Sequence, residues 1–437
     1  MSDTNSAAND APVVSQSQNI RGICVLLGVM STPLALWHQG FLLFAGLCYW
    51  CASGLSWRNM TPRNRLQALV LSGIGLGAAV IAGLFSHSVD FTGLLKGNIA
   101  LISMLVAVSF LGLVSQPSLA EGEQLPTGKR SILGTLLGVH FFGAVINLSA
   151  LFILGDRLSQ RRSLSRAQVV ALTRAFSAAA FWSPFFAAMG VALTYAPQAK
   201  LSELMLSGAC LAVAALVIIF FAVRQLSENE RFEGYPLRLN SLWLPTLLAV
   251  AVLVVHYLYP QLSILFIITL SAPLICILTL LKRGGMVLQL RSHVHGRLAN
   301  MTNEVVLFLS AGVFSFGLQS VLAGQESLLP FSEFNALTAS LSYAFIMALA
   351  VSGLHPVIGI SIIGPLLMPL QPDQSMLGII FLSSWALGSA AGPLSGMNIS
   401  IQGKYGIDGM QIMRWNLPYM LGMSGLVVLT LFVFERF

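Results

Sequence analysis

The sequence predicts an all-α, polytopic membrane protein, and three observations carry that prediction. Of the 437 residues, 56% are hydrophobic and only 9% are charged, against about a quarter charged in a typical soluble domain. Apolar windows of roughly 20 residues, the length of helix that crosses the hydrocarbon core, recur from Gly22 to the C-terminal end. The polar interruptions between them are short, and the basic residues cluster there.

Up to about Asn19 the chain is rich in Ser, Ala, Asn and Asp, so residues 1–21 read as a disordered cytoplasmic tail. That tail lacks the basic start and short apolar stretch of a cleaved signal peptide. The length rule then predicts about eleven full crossings. Ile23–Trp37 and Phe41–Leu55 form an N-terminal helix pair within 22–66. Gln67–Phe85, Asn98–Val114, Val170–Tyr195 and Leu204–Val223 follow, and then Leu242–Tyr259, Leu262–Leu281, Thr302–Val321, Met376–Gln402 and Leu417–Val433. Two further apolar stretches, Ser131–Gly155 and Ala336–Leu370, are interrupted, the first by Gly143 and Asn147, the second by Gly353, His355, Pro356 and Gly359. They predict half-helices meeting at a tip inside the membrane, as re-entrant hairpins, because backbone that leaves the helical ladder there must be buried in protein or line a cavity.

Charge placement tests that assignment. With 131–155 as a hairpin, three basic loops share one side: Arg58, Arg63 and Arg65; Arg157, Arg161, Arg162 and Arg166; Lys282, Arg283, Arg291 and Arg297. The excess of Lys and Arg makes that side cytoplasmic. Glu326, Glu333 and Asp373 then lie outside, with the N-terminus inside and the C-terminus outside. The order of crossings and hairpin over 67–223 returns, after a cytoplasmic linker at 224–241, over 242–437. With hairpins opening from opposite faces, the two units form an inverted repeat. Ser177-Ala178-Ala179 ahead of Ser183-Pro184 echoes Ser389-Ala390-Ala391 ahead of Gly392-Pro393. The formal charge of +7 is read as topology, with the bilayer as partner and no nucleic acid. Cys24, Cys48, Cys51, Cys210 and Cys276 all sit in apolar runs without metal-ligand spacing, as packing residues.

Four segments combine a helix break with small polar side chains: Gly143 to Ser149, Trp182-Ser183-Pro184, Ser352 to Ser361, and Gly392 to Asn398. Proline lacks an amide hydrogen and glycine permits close approach, so carbonyls and amides are released at these points. Half-helix N-termini suit an anion, and freed carbonyls with Ser and Asn oxygens suit Na⁺ as a coupling ion. Asn147, Ser149, Ser183, Pro184, Ser352, His355, Ser395, Gly396 and Asn398 are therefore the candidate substrate- and ion-binding residues. Gly, Ser and Pro also serve as packing and kink residues in membrane helices. His355 fits a proton-linked, substrate-contacting or structural role equally, and His140 reads as structural. Arg174 is placed to attract an anion, or else snorkels to the interface, and Glu304 reads as interfacial. No catalytic residue, metal site or resident cofactor is expected. The absence of a mid-membrane carboxylate pair tilts the substrate toward an anionic or polar solute.

The arrangement of crossings, opposed hairpins and crossings broken at Ser183-Pro184 and at Gly392-Pro393-Leu394-Ser395-Gly396-Met397-Asn398 resembles the ion transporter superfamily, in particular the divalent anion:sodium symporters. In that family each hairpin tip carries a Ser-Asn-Thr triplet; here the tips read Asn147-Leu148-Ser149 and Gly353-Leu354-His355-Pro356. The resemblance covers nearly the whole chain and implies a homodimer with a fixed scaffold and an elevator-like transport domain containing the hairpins. The expected function is secondary transport of a small organic or inorganic anion with Na⁺ or H⁺ across a bacterial-type inner membrane, and not an enzymatic activity. A cation/proton antiporter or an oxyanion exporter of the same architecture is the alternative. A lipid or cell-wall-precursor enzyme is disfavoured because the chain has no HExxH pair and no Walker-type loop.

Overall fold

The computed structural model describes residues 16–85, 89–114, 125–160, 162–227, 232–236, 243–323 and 331–436. Among these all regular structure is helical, apart from one isolated antiparallel bridge between Thr127 and Glu233. The helices are α1 Gln16–Ser31, α2 Gly40–Ser56, α3 Pro62–Phe85, α4 Gly93–Lys96, α5 Ile99–Ser109, α6 Lys129–Ile146, α7 Leu148–Ser159, α8 Arg166–Ala178, α9 Ala187–Tyr195 and α10 Leu201–Leu226. They continue as α11 Trp243–Leu258, α12 Ile264–Arg283, α13 Met286–His293, α14 Thr302–Leu322, α15 Ala336–Val351, α16 Pro356–Leu367, α17 Gln374–Ala391, α18 Gly396–Tyr405 and α19 Gly409–Phe434. Helix is what lipid demands, since it satisfies every backbone group within the segment.

Ten of the described helical segments are long and apolar enough to cross a membrane, rather than the eleven expected. The count differs because the predicted crossing Val170–Tyr195 is split into α8 and α9, and because α11 is short. Conversely, Lys129–Ile146, the first arm of an expected hairpin, has a full span's length. Leu69, Ile74, Leu206, Val213, Leu270 and Leu274 stay exposed on the outer faces of α3, α10 and α12. Large exposed apolar surface of this kind belongs against lipid. The N-terminal boundary also moves. The predicted tail over 1–21 gives way to helix at Gln16, where Gln18 Nε2 donates to the His295 carbonyl at 2.9 Å and Arg21 packs buried beside Ser56 Oγ. Residues 1–15, Arg161, Glu326 and half of the predicted linker, 228–231 and 237–241, lie outside the described residues, while 224–226 complete α10.

The helices sort into two bundles. In the first, α1 packs on α2, α3 on α14, and α5 on α12. In the second, α6 packs on α8, α8 on α10, α15 on α17, and α17 on α19. Every residue of α17 from Ser375 to Ala391 is buried, which makes it the axis of the second bundle. Glycines set the closest approach in the first. A Cβ at Gly75 would lie 2.4 Å from the Val313 carbonyl oxygen, and one at Gly317 2.0 Å from that of Gly75. Only glycine lets the backbones of α3 and α14 meet in this way.

Two helix pairs of the second bundle double back. α6 and α7 turn at Asn147, which has φ of +51°, and Leu154 of α7 comes to lie against Gly138 of α6. α15 and α16 turn at Ser352-Gly353, where Gly353 has φ of +101°, and Gly359 packs on Ile346. Both are helical hairpins with their turns at the predicted interruptions. Two other helices are broken without doubling back. α8 opens with a capping box, Ser165 with Gln168, and ends before Trp182-Ser183-Pro184; α9 resumes at Ala187. α17 ends at Ala391, and α18 resumes at Gly396 behind its N-cap, Ser395.

Candidate functional site

Each broken helix is held to a hairpin or to itself by side chains at its break. At the first, Ser183 Oγ donates to the Ala144 carbonyl, and Asn147 Nδ2 donates to the Phe185 carbonyl at 3.2 Å. Proline at 184 cannot donate a backbone bond, so the chain turns there without leaving an amide unpaired. Trp182 Nε1 donates to His140 Nε2 at 3.0 Å, which leaves the ring proton on Nδ1, 3.1 Å from the Ala175 carbonyl. Both nitrogens of His140 are thus engaged inside the protein.

At the second break, Ser395 Oγ accepts from the Asn398 amide at 3.2 Å and donates to the Ser389 carbonyl at 2.8 Å. Asn398 Nδ2 donates to the Gly392 carbonyl at 2.9 Å and to the Ala390 carbonyl at 3.3 Å. Its other polar atom, Oδ1, is buried with no hydrogen-bond partner among the described residues. At the second hairpin tip, His355 Nδ1 accepts from the Val357 amide at 3.2 Å and caps α16. The His355 ring stands edge-on to Trp385, centroids 4.9 Å apart.

The tips and the breaks converge on one cavity of about 400 Å³. Asn147 and Ser149 of the first tip, His355 of the second, Phe186 of the first break and Gly396 of the second all line it. The first bundle supplies the opposite wall through α3, α5 and the start of α14. Phe308 and Trp385, stacked with an interplanar angle of 3°, lie on the two sides of this seam. Among the described residues, three charged side chains line the cavity: Arg63, Arg297 and Glu304. Those two arginines come from segments whose charges signalled topology in the sequence, and Glu304 read as interfacial. Only the meeting of distant segments gives them a cavity to face.

Of the predicted site residues, Asn147, Ser149, His355 and Gly396 face the cavity. Ser183, Pro184, Ser395 and Asn398 are buried behind it and shape the breaks. Ser352 is exposed, with its Oγ donating to the Leu349 carbonyl at 2.7 Å, and does not line the cavity. Arg174 lies away from the cavity. Its Nε donates to Asn416 Oδ1 at 2.8 Å and its Nη2 to the Trp415 carbonyl at 2.6 Å, with Tyr419 against the guanidinium. Among the described residues no three His, Cys, Asp or Glu side chains gather at metal-binding distance. No protein-family model matches this chain, and no curated protein does.

Proposed function

We propose that this multi-pass membrane protein is a secondary active transporter that carries a small anionic or polar solute, coupled to Na⁺ or H⁺. The observation that carries this proposal is the convergence of two hairpin tips and two helix breaks on a single cavity of about 400 Å³, within the size range of small-molecule pockets. Broken helices meeting at such a point are how carriers expose backbone groups to a solute and its coupling ion. Helix pairing supports an inverted repeat. α6 packs on α7 and α8 as α15 packs on α16 and α17, and α3 on α14 as α12 on α5. Within it, both hairpins are re-entrant and enter from opposite faces.

Among the exposed lining residues, Thr61, Arg297, Asn300, Asn303 and Glu304 lie in or next to the basic segments of the first bundle. By the positive-inside rule these segments face the cytoplasm, so the cavity is in its inward-open state. The first bundle then acts as scaffold and the second as the moving body, in a homodimer of the inner membrane. Asn398 Oδ1, buried and without a partner among the described residues, is a ready ligand for a coupling Na⁺.

Reconstituted into vesicles, the protein should take up carboxylates or inorganic anions when a Na⁺ or H⁺ gradient is imposed. Asn147→Ala and Ser395→Ala should lower uptake while folded protein is retained. Normal uptake by both variants would remove the site assignment, and turnover of a lipid without solute flux would replace the transporter with an enzyme.

A further inference from the structure

Arg63, at the start of α3 in the first bundle, reaches across the seam to the second. Its Nη2 donates to the Gly353 carbonyl of the second hairpin tip, and its Nη1 lies 3.5 Å from the Leu394 carbonyl in the second break. Both acceptors are neutral, and among the described residues Arg63 forms no ion pair. Gly353 and Leu394 are themselves in contact, since a Cβ at Gly353 would lie 2.9 Å from the Leu394 side chain. One guanidinium therefore ties the scaffold to the two places in the second half where backbone leaves the helical ladder.

The same guanidinium lines the cavity. Among the described residues, Arg63 and Arg297 share the lining with a single carboxylate, Glu304, which leaves an excess of positive charge there. His355 is the remaining titratable side chain in that wall, and Gly396 and Met397 bring the N-terminus of α18 to it. Hydrogen bonds from Arg to an oxyanion are about twice as strong as those to neutral carbonyls, and the planar fork grips two oxygens at once. An anion entering the cavity thus competes favourably for the donors that Gly353 and Leu394 now occupy.

We propose that Arg63 reads the solute's charge: a small oxyanion presenting two oxygens, a carboxylate, sulfate or phosphate, takes the guanidinium from the Gly353 and Leu394 carbonyls and unties the second hairpin from the scaffold. This rests on the cavity being the solute site, and it adds the substrate class and the step that couples binding to release. A ligand moves a two-state element only by its differential affinity for the two states, and this exchange of acceptors supplies the difference. Lysine keeps the charge but lacks the planar fork that matches two oxygens of one anion.

The test is hydrogen–deuterium exchange of the purified full-length protein over residues 350–358 and 392–400, with succinate, sulfate or phosphate added and chloride as the salt control. Arg63→Gln should raise exchange in both segments without anion. In the wild type at least one of the three oxyanions should raise it in the same way. Arg63→Lys, which keeps the charge and tests folding, should weaken half-saturation by that anion roughly tenfold or more. Unchanged exchange in Arg63→Gln, or equal anion responses in wild type and both variants, overturns the proposal. So does a wild type that answers to none of the three oxyanions. Flux assays in vesicles separate the two claims. An exchange response without flux leaves the Arg63 site standing and removes the transporter, whereas flux with an Arg63-independent response does the reverse.

Discussion

Tyr195 and Tyr405 occupy matching positions in the two halves of the molecule: each ends the second segment of a broken helix and packs on a glycine in the outgoing arm of the other half's hairpin. Tyr195 closes α9 against Gly364 of α16, and Tyr405 closes α18 against Gly155 of α7. Their hydroxyls find different partners. Tyr195 Oη accepts from Asn98 Nδ2 at 3.1 Å, while Tyr405 Oη donates to Asp156 Oδ1 at 2.9 Å. The shared feature is the ring on the glycine, and the exchange is crosswise, each broken helix meeting the hairpin of the other half.

A side chain at either glycine would press on those rings. A Cβ at Gly155 would sit 2.4 Å from Tyr405 Oη, and one at Gly364 3.1 Å from Tyr195 Cβ. Gly155→Leu and Gly364→Leu should each destabilise the protein by about 1–3 kcal/mol through overpacking. Gly403→Ala, whose Cβ would meet nothing within 4 Å, should be neutral. Thermal unfolding in detergent measures all three, and equal midpoints across the set would mean the ring contacts do not matter.

Much of this architecture is legible in the sequence because lipid leaves few options. Apolar length marks the helices, and the hairpin turns fall at Asn147 and Gly353 because those residues tolerate positive φ inside otherwise apolar runs. Long-range partners are not legible. Gln16 to Asn19 look like tail, yet they continue α1 because Gln18 and Arg21 find acceptors on segments remote in the chain. Arg174 looks available to an anion, yet Asn416, 242 residues away, takes its Nε. Arg63 carries a topology signal and no site signal, since nothing local announces that Gly353 will arrive beside it.

The Arg174 cluster yields a second prediction. The guanidinium is buried, only 6% exposed, and among the described residues it has no carboxylate partner. Asn416 holds it through Oδ1 while Nδ2 donates to Thr173 Oγ1 and the Ala390 carbonyl. Asn416→Ala strands a charged donor and should cost about 1.5–3 kcal/mol. Asn416→Asp, which supplies a counter-charge at the same atom, should retain more of the stability than Ala does. Chemical denaturation of the two variants decides this, and an Ala variant as stable as wild type would show that the cluster is incidental.

Gly353 supplies a third. Its φ of +101° lies where a Cβ is strained, and that Cβ would also press on the Leu394 side chain at 2.9 Å. Gly353→Ala should therefore loosen the second tip at a cost of about 1–3 kcal/mol. Faster amide exchange at 352–356, with α3 and α14 unaffected, is the expected signature. Slower exchange there would mean that the tip tolerates another backbone conformation.

The re-entrant assignment makes a last prediction that depends on no substrate. If α6 and α7 enter and leave by one face, Lys129 and Gln160 at their outer ends lie on the same side of the membrane. Ser332 and Gln371, at the outer ends of α15 and α16, then lie together on the other. All four are exposed. In a background with the exposed Cys51 and Cys210 replaced by Ala, Lys129→Cys and Gln160→Cys should react with a membrane-impermeant thiol reagent only from the cytoplasmic side. Ser332→Cys and Gln371→Cys should react only from outside. The first pair matters most, because Lys129–Ile146 has the length of a full crossing. Were it one, α7 at 12 residues would fall well short of the roughly 20 needed to return through the bilayer, and Gln160 would be stranded inside lipid. Labelling of Lys129→Cys and Gln160→Cys from opposite sides would break the inverted relationship between the halves, and with it the opposed entry of the two hairpins.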